Sequence, residues 1–151
     1  MATIEEGIEV DVPVGTAYNQ WTQFEEFPRF MDGVEEIRQQ DDTHLHWRVS
    51  HNGHEVEFDT EITEQLPDQR IAWKTTDGRA HAGVVTFHKI SDSRTKVMVQ
   101  MDWEPEGMLE ALGAAMGSDD RRVKADLQRF KELVESQGHE TGAWRGTVAQ
   151  S

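Results

Sequence analysis

Histidines near the middle of the chain stand at a spacing that could support metal binding. His44 and His46 share one face of an alternating segment, and a His-x-His pair can hold a metal ion. Glu55 or Glu57 could approach them across a hairpin, but no third ligand stands at a suitable spacing. We therefore interpret the pair as surface histidines and expect no metal site. His81, near the start of a later strand, is a candidate for a polar contact with a ligand.

Four carboxylates form a second candidate group, an acidic ladder at positions 55, 57, 59 and 61. Paired carboxylates can serve in general acid–base catalysis. Their common parity places them opposite Val56, Phe58 and Ile62, and this pattern is typical of a sheet with one solvent-exposed face. We interpret the ladder as that exposed face rather than as a catalytic site.

Other catalytic and cofactor motifs are missing from the sequence. There is no Gly-x-Ser-x-Gly nucleophile motif, no glycine-rich phosphate loop before a helix, and no cysteine. The lack of cysteine excludes disulfides and thiolate metal sites. We therefore expect no nucleotide or other cofactor.

A large set of aromatic, methionine and leucine side chains is the strongest indication of function. Five tryptophans, six phenylalanines and one tyrosine exceed what the tightly packed core of one small domain requires. Methionines add adaptability towards ligands of varied shape. As a group these residues favour an aromatic-lined pocket, although each one alone fits an ordinary core. The candidate ligand-binding residues are Phe27, Phe30, Met31, Trp47, Phe58, Trp73, Phe87, Met101, Trp103, Met116, Leu127 and Phe130.

Length and charge limit the remaining possibilities. A chain of 151 residues and 17.3 kDa is expected to form one domain that buries a hydrophobic core without disulfides. Its net charge of -14 disfavours nucleic acid and anionic membrane surfaces as partners. No apolar run approaches the ~20 residues of a membrane span, and the first residues lack a signal-peptide pattern. We therefore expect no membrane insertion and a cytoplasmic location.

The pattern of apolar residues predicts one strand, two short helices, six further strands and a long final helix. The first strand spans residues 3–12, and Pro13 ends it where a short helix can begin. A second short helix or irregular turn follows over residues 24–31. From Val34 the period changes to two, and short turns, including Asn52-Gly53, predict an antiparallel meander.

The final helix carries an apolar stripe formed by Val123, Leu127, Phe130 and Val134. It is the predicted helix with the length to cover a curved sheet, and a gap beneath it is expected to be lined by large apolar side chains. The predicted fold is α+β, a curved antiparallel sheet of about seven strands wrapped around the C-terminal helix. We assign residues 1–138 to the domain and expect residues 139–151 to form a flexible tail.

Several segments of the chain resemble a known family, the polyketide cyclase/dehydrase branch of the START-like (SRPBCC, helix-grip) superfamily. The segments are IEVDVPV (8–14), AYNQW (17–21), FEEFPRFM (24–31), EITEQ (61–65), IAW (71–73) and GVVTF (83–87). The resemblance extends over about residues 3–137 and implies a helix-grip fold with an internal cavity for hydrophobic ligands. The superfamily includes aromatase/cyclases as well as lipid and quinone carriers, so the resemblance implies no single activity.

The resemblance also implies candidate catalytic positions. In the aromatase/cyclases, a Ser and an Arg near the end of the long middle strand assist ring closure, and the matching positions here are Thr63 and Gln65. A Thr can replace Ser as a donor, whereas Gln cannot supply the positive charge that would stabilise an enolate. This departure from the family pattern disfavours cyclisation.

The sequence therefore predicts that the protein binds a small hydrophobic or aromatic molecule, polyketide-, lipid- or quinone-like, in an internal cavity, as a carrier or sensor. One alternative is a cyclase/dehydrase-type enzyme that uses Thr63, Gln65 and His81. A second alternative is a non-catalytic interaction module that contacts a protein partner through the tail segment WRG at residues 144–146.

Overall fold

A computed structural model describes residues 2–31, 34–51, 54–76, 81–103, 120–137 and 141–148 of the chain. Its elements follow the predicted order of one strand, two short helices, six strands and a long helix. The strands are β1 (Ala2–Val10), β2 (Val34–Gln39), β3 (His44–His51), β4 (His54–Leu66), β5 (Arg70–Thr75), β6 (His81–Ser91) and β7 (Arg94–Trp103). The helices are α1 (Val14–Trp21), a 3-10 helix (Phe24–Arg29) and α2 (Asp120–Gln137).

The strands form one antiparallel sheet in the order β1-β7-β6-β5-β4-β3-β2. Strands β2 to β7 follow one another as a meander, and β1 pairs with β7 at the far edge. The register places Ile4 opposite Met101 and Trp73 opposite Gly83. The seven-stranded antiparallel sheet predicted from the sequence is therefore confirmed.

Alternation of side chains gives the sheet a buried face and a solvent-exposed face. On β3, Leu45, Trp47 and Val49 are buried, because every second residue of the strand points towards the core. On the opposite face of β4, the side chains of Glu57 and Asp59 are 57% and 50% exposed. The acidic ladder thus lies on the exposed face, as its parity predicts.

A β-bulge in β4 changes which residues face the core. The pairing with β5 shifts in register directly after Ile62, which lies opposite Trp73. Ile62 and Gln65 are both buried although they are three residues apart, which a regular strand of period two does not permit. The extra residue of the bulge restores the inward orientation at Gln65. Thr63 lies at the bulge itself.

Helix α2 packs its apolar stripe against the inner face of the sheet. Val123, Leu127, Phe130 and Val134 are all buried, as expected for residues that share one face of a helix. The opposite face of α2 is polar, and Gln128 is exposed there. Neither α2 nor another helix in the described ranges combines the length and apolar character needed to cross a membrane.

Polar contacts join the last turns of α2 to the end of β1. The Glu135 carboxylate accepts hydrogen bonds from the backbone N–H of Asp11 (2.7 Å) and from Lys131 Nζ (2.6 Å). Lys131 Nζ also donates to the carbonyl oxygen of Glu9 at 3.1 Å. Burial alone would raise the pKa of Glu135, but the hydrogen bonds from Lys131 and Asp11 outweigh it and lower that pKa. These contacts hold the helix in place along the sheet.

Aromatic rings from α1 and the 3-10 helix close one end of the space between α2 and the sheet. The Trp21 ring lies edge-on to Phe27 and Phe130, with centroids 5.5 and 4.9 Å apart. Phe30, which follows the 3-10 helix, contacts Phe130 at 5.2 Å. Edge-to-face pairs of this kind stabilise a core beyond the area that they bury. The aromatic rings of the two short helices therefore close this end of the space, and we call them the end wall.

Residues 141–148, which belong to the segment predicted to be a flexible tail, follow the surface of the domain. Val148 pairs with Gln65 of β4 through two backbone hydrogen bonds, of 2.7 and 2.9 Å. Arg145 donates a hydrogen bond to the Asp68 carboxylate at 2.7 Å, and its guanidinium lies 5.5 Å from the centre of the Tyr18 ring. The tail therefore contacts both α1 and the end of β4.

Deletion of residues 141–151 is expected to destabilise the domain. It removes the two backbone hydrogen bonds to Gln65, each worth about 1 kcal/mol net. The Arg145–Asp68 ion pair is partly exposed and adds little. We expect the free energy of unfolding in urea to fall by ~1–2 kcal/mol. Arg145→Ala, the control, is expected to cost less than half as much, and a deletion without effect would support the flexible tail.

His46, on the exposed face of β3, is held between two carboxylates of β4. Its Nε2 lies 2.9 Å from Glu57 Oε1, and its Nδ1 lies 2.7 Å from Asp59 Oδ1. The hydrogen bond that His46 donates to Glu57, followed by the one that it donates to Asp59, raises the pKa of His46 above its usual 6.5. Protonation of His46 is therefore coupled to folding.

These contacts are expected to stabilise the fold at low pH more than at high pH. Because folding raises the pKa of His46, its contribution is fully present below the unfolded pKa of about 6.5 and is lost as pH rises through the folded pKa. We expect His46→Gln to lower the free energy of unfolding by about 0.5–1 kcal/mol near pH 5.5 and by less near pH 9.

Urea denaturation of the wild-type protein and of His46→Gln, from near pH 5.5 to near pH 9, measures this difference in stability. His88→Gln is the matched control, since the His88 ring contacts an uncharged group, the Thr86 hydroxyl at 3.0 Å, rather than a carboxylate. A cost of His46→Gln that does not change with pH would contradict the coupling.

Candidate functional site

The space between α2 and the inner face of the sheet contains a largely apolar cavity. Its empty volume is about 660 Å³ including the part that opens to solvent, and water-sized molecules can be centred in about 50 Å³ of it. The cavity is therefore narrow. Its described lining residues are Trp21, Phe24, Phe27, Phe30, Met31, Leu45, Trp47, Ile62, Ile71, Trp73, Val99, Met101, Val123, Asp126 and Leu127.

Elements distant in sequence supply this lining, each through its own periodicity. Trp21 ends α1 and Phe27 lies in the 3-10 helix, so the two short helices form the end wall. Leu45 and Trp47 come from alternate positions of β3, and Leu127 comes from the apolar stripe of α2. A period of two in the strands and of 3.6 in the helix thus direct apolar side chains to one space.

The tryptophans at positions 47 and 73 differ in the state of their indole N–H. Trp47 stacks on Phe58, with centroids 5.7 Å apart, and its Nε1 donates to Thr60 Oγ1 at 2.8 Å. Trp73 Nε1 is shielded from solvent but finds no hydrogen-bond partner in the described part of the chain. The Trp73 ring occupies the space over Gly83, where a Cβ would lie 2.7 Å from Trp73 Cε2.

One ionisable side chain stands among the described lining residues. Asp126 of α2 is 14% exposed, and its carboxylate accepts a hydrogen bond from Arg129 Nη1 at 2.6 Å. Arg129 Nη1 also lies 3.4 Å from the carbonyl oxygen of Phe30, so it links α2 to the end of the 3-10 helix. Because the Arg129 side chain is 43% exposed, this pair marks the rim of the cavity rather than its interior.

The structure places the twelve candidate ligand-binding residues in three groups. Those that line the cavity are Phe27, Phe30, Met31, Trp47, Trp73, Met101 and Leu127. Phe58, Phe87 and Phe130 are buried behind the lining, where each packs against another ring. Met116 and the side chain of Trp103 lie outside the described residues. A direct contact between any of them and a ligand stays a prediction.

The lining also contains residues that are not among the twelve candidate ligand-binding residues. They are Trp21, Phe24, Leu45, Ile62, Ile71, Val99, Val123 and Asp126. Strand alternation predicts several of these residues, because a residue two positions from Trp47, Trp73 or Met101 lies on the same face of its strand. No comparable signal points to Asp126, because a polar residue beside an apolar helical stripe is ordinary.

Two of the three candidate catalytic residues, Thr63 and Gln65, lie away from the lining of this cavity. Gln65 is 1% exposed and neighbours Tyr18; neither the Gln65 amide nor Tyr18 Oη has a partner with hydrogen-bond geometry in the described ranges. Burial raises the pKa of Tyr18, against smaller opposing effects from Gln65 and Arg145. The side chain of His81 lies outside the described part of the chain.

Two histidines of β3, His44 and His46, lie beside neighbouring carboxylates. His44 Nδ1 lies 2.9 Å from Asp41 Oδ1, and His46 bridges Glu57 and Asp59. The backbone N–H of Thr43, together with His44, lowers the pKa of Asp41 to about 2. Across the described residues, no group of three His, Asp or Glu side chains is placed to hold a metal ion.

Most of this chain matches one known protein family. Residues 10–132 match the family model described as polyketide cyclase / dehydrase and lipid transport. The chain belongs to this family. The matched range contains the end of β1, strands β2 to β7, both short helices and most of α2, so it includes all the described lining of the cavity.

Individual proteins agree with this assignment. A relative from Streptomyces lincolnensis, known as an uncharacterized 17.2 kDa protein, is 58% identical over 149 residues, or 98% of this chain and 99% of the relative. The Zhui aromatase/cyclase from a Streptomyces strain has a TM-score of 0.73 at 15% identity, covering 95% of this chain and 99% of its own. A START superfamily protein from Mycobacterium smegmatis has a TM-score of 0.70 at 16% identity, covering 89% and 98%. These two solved structures share the fold of this chain, which confirms the predicted architecture, and the family model confirms the predicted family.

Gly83→Ala is expected to displace Trp73 from the cavity wall. The new Cβ would lie 2.7 Å from Trp73 Cε2, closer than nonbonded carbon atoms approach. We expect the free energy of unfolding to fall by about 1–3 kcal/mol, with a change in tryptophan fluorescence. Gly15→Ala is the control, because its Cβ would meet only Asp68 Oδ1, at 3.9 Å, in a helix that favours Ala. Equal effects at the two glycines would contradict the packing of Trp73 on Gly83.

Proposed function

We propose that the protein binds a small hydrophobic or aromatic molecule, polyketide-, lipid- or quinone-like, between α2 and the sheet, as a carrier or sensor. The observation that carries this proposal is the narrow cavity lined by aromatic and aliphatic side chains from the helices and strands. Burial against these side chains would supply ~25 cal/mol per Å² of apolar surface before the costs of association. The description of the family, which includes lipid transport, supports a ligand of this class.

The cyclase/dehydrase alternative requires polar groups that move protons at the ligand. Asp126 is the one ionisable residue among the described lining residues, and Arg129 already binds its carboxylate. Thr63 and Gln65 do not contribute to the lining. These observations favour binding over catalysis in the described cavity.

The interaction-module alternative requires the tail to be available to a partner. The backbone N–H of Trp144 donates to Thr22 Oγ1 at 3.1 Å, and Arg145 binds Asp68. Because the tail is engaged by its own domain, these contacts disfavour it as a docking segment.

Leu127→Phe is expected to reduce ligand binding by filling the cavity. Leu127 is buried in the apolar stripe of α2 and lines the space, so a larger side chain there competes with the ligand. We expect the affinity for the neutral fluorescent probe N-phenyl-1-naphthylamine to fall at least about tenfold, equivalent to ~1.4 kcal/mol. The increase in probe fluorescence on binding measures the dissociation constant.

Gln128→Phe is the matched control, since it adds the same side chain to the exposed face of the same helix. Circular dichroism and thermal unfolding check that both variants keep the fold. Probe binding that is unaffected by Leu127→Phe, or weakened equally by both changes, would overturn the proposal. Native mass spectrometry of the protein purified from its own host would identify a ligand that remains bound.

A further inference from the structure

We infer that the ligand of this cavity carries a hydrogen-bond acceptor, such as a carbonyl oxygen, that the indole N–H of Trp73 binds. The inference rests on the proposed function, because it specifies the polar group of the same ligand. Its basis is the contrast between Trp47 and Trp73, which line the same cavity.

The two indole donors are in different states. Trp47 Nε1 donates to Thr60 Oγ1 at 2.8 Å, so its hydrogen bond is made within the protein. Trp73 Nε1 is also hidden from solvent, yet it has no acceptor in the described ranges of the chain. A buried donor without an acceptor destabilises a protein, and the large majority of buried polar atoms have a partner. An acceptor on the ligand would give Trp73 Nε1 a hydrogen-bond partner, as Trp47 Nε1 already has within the protein.

The residues that pair with Trp73 across the sheet carry no side-chain oxygen atom. Ile62 of β4 lies opposite it on one side and Gly83 of β6 on the other, with Met101 of β7 opposite Gly83. A hydrocarbon side chain, a residue without a side chain and a thioether, which is a weak acceptor, leave the N–H unsatisfied. The ring fills the space above Gly83, so the absent Cβ fixes where the indole lies.

This arrangement indicates the chemical class of the ligand. The rest of the described lining is apolar except for Asp126, which is bound by Arg129. An aryl ketone or a quinone combines a flat apolar body with a carbonyl oxygen and fits both properties. A site with a dedicated polar contact discriminates against an analogue that lacks the matching group more strongly than an apolar pocket discriminates by size.

A matched pair of ligands separates this contact from apolar burial. 2-Acetylnaphthalene and 2-isopropenylnaphthalene have nearly the same shape, but only the first carries a carbonyl oxygen. Their dissociation constants are measured by titration of tryptophan fluorescence with the wild-type protein, Trp73→Phe and Trp47→Phe. We expect the wild type to prefer the ketone about tenfold, Trp73→Phe to lose that preference, and Trp47→Phe to retain it.

A second measurement uses the unaltered protein. In proton–nitrogen correlation spectra, the indole N–H signal of Trp73 is expected to move downfield with the ketone and not with the hydrocarbon. The signal of Trp47, which already donates to Thr60, is expected to show no such difference. This readout tests the contact even where a tryptophan variant fails to fold.

The outcomes distinguish the inference from the proposed function. Equal affinities for the two compounds, with an unmoved Trp73 signal, would overturn the inference and leave ligand binding in the cavity intact. A ketone preference that survives Trp73→Phe would overturn the assignment to Trp73. Failure of the wild-type protein to bind either compound would count against the proposed function itself.

Discussion

The burial of one side of α2 against a twisted antiparallel sheet is the constraint on which the rest of the structure depends. The apolar stripe from Val123 to Val134 must leave water, and the sheet provides the complementary surface. A nearly straight helix cannot follow a twisted sheet along its whole length, so their separation varies along the helix. Rings from α1 and the 3-10 helix fill one part of that separation, and the cavity is the remainder. The capacity to enclose a molecule therefore follows from the same packing that stabilises the domain.

The polar groups on the outer face of the sheet and those inside the core differ in their partners. Carboxylates and histidines pair on the outer face of β3 and β4, where water screens them and the contribution of each pair is small. Inside, Trp47 is satisfied by Thr60, whereas Trp73 retains its donor against an apolar wall. The lining of the cavity, as far as the structure describes it, thus combines a large apolar area with the unpaired indole N–H of Trp73. In such a combination, the buried apolar area supplies the affinity, and the hydrogen-bond donor sets the orientation of the bound molecule.

Much of this architecture follows from periodicity that is visible in the sequence. A period of two predicts the meander, a period of 3.6 predicts the stripe of α2, and Pro13 marks the change between the first two elements. The bulge in β4 could not be predicted, because the parity of a strand carries no signal for one added residue, and it decides the orientation of Gln65. The path of the tail could not be predicted either, since its contacts join Arg145 and Val148 to residues far away in the sequence. Periodicity assigns faces, whereas the division of buried rings into lining and backing depends on three-dimensional packing.

The acidic outer surface has a consequence for the compounds that reach the cavity. A net charge of -14 surrounds the domain with a negative potential. This potential opposes the approach of anionic compounds to the protein surface and does not act on the net charge of an uncharged compound. Added salt shortens the range of this repulsion and narrows the difference between the two kinds of compound. For the proposed ligand, the charge of the exterior would therefore act before the shape of the cavity does.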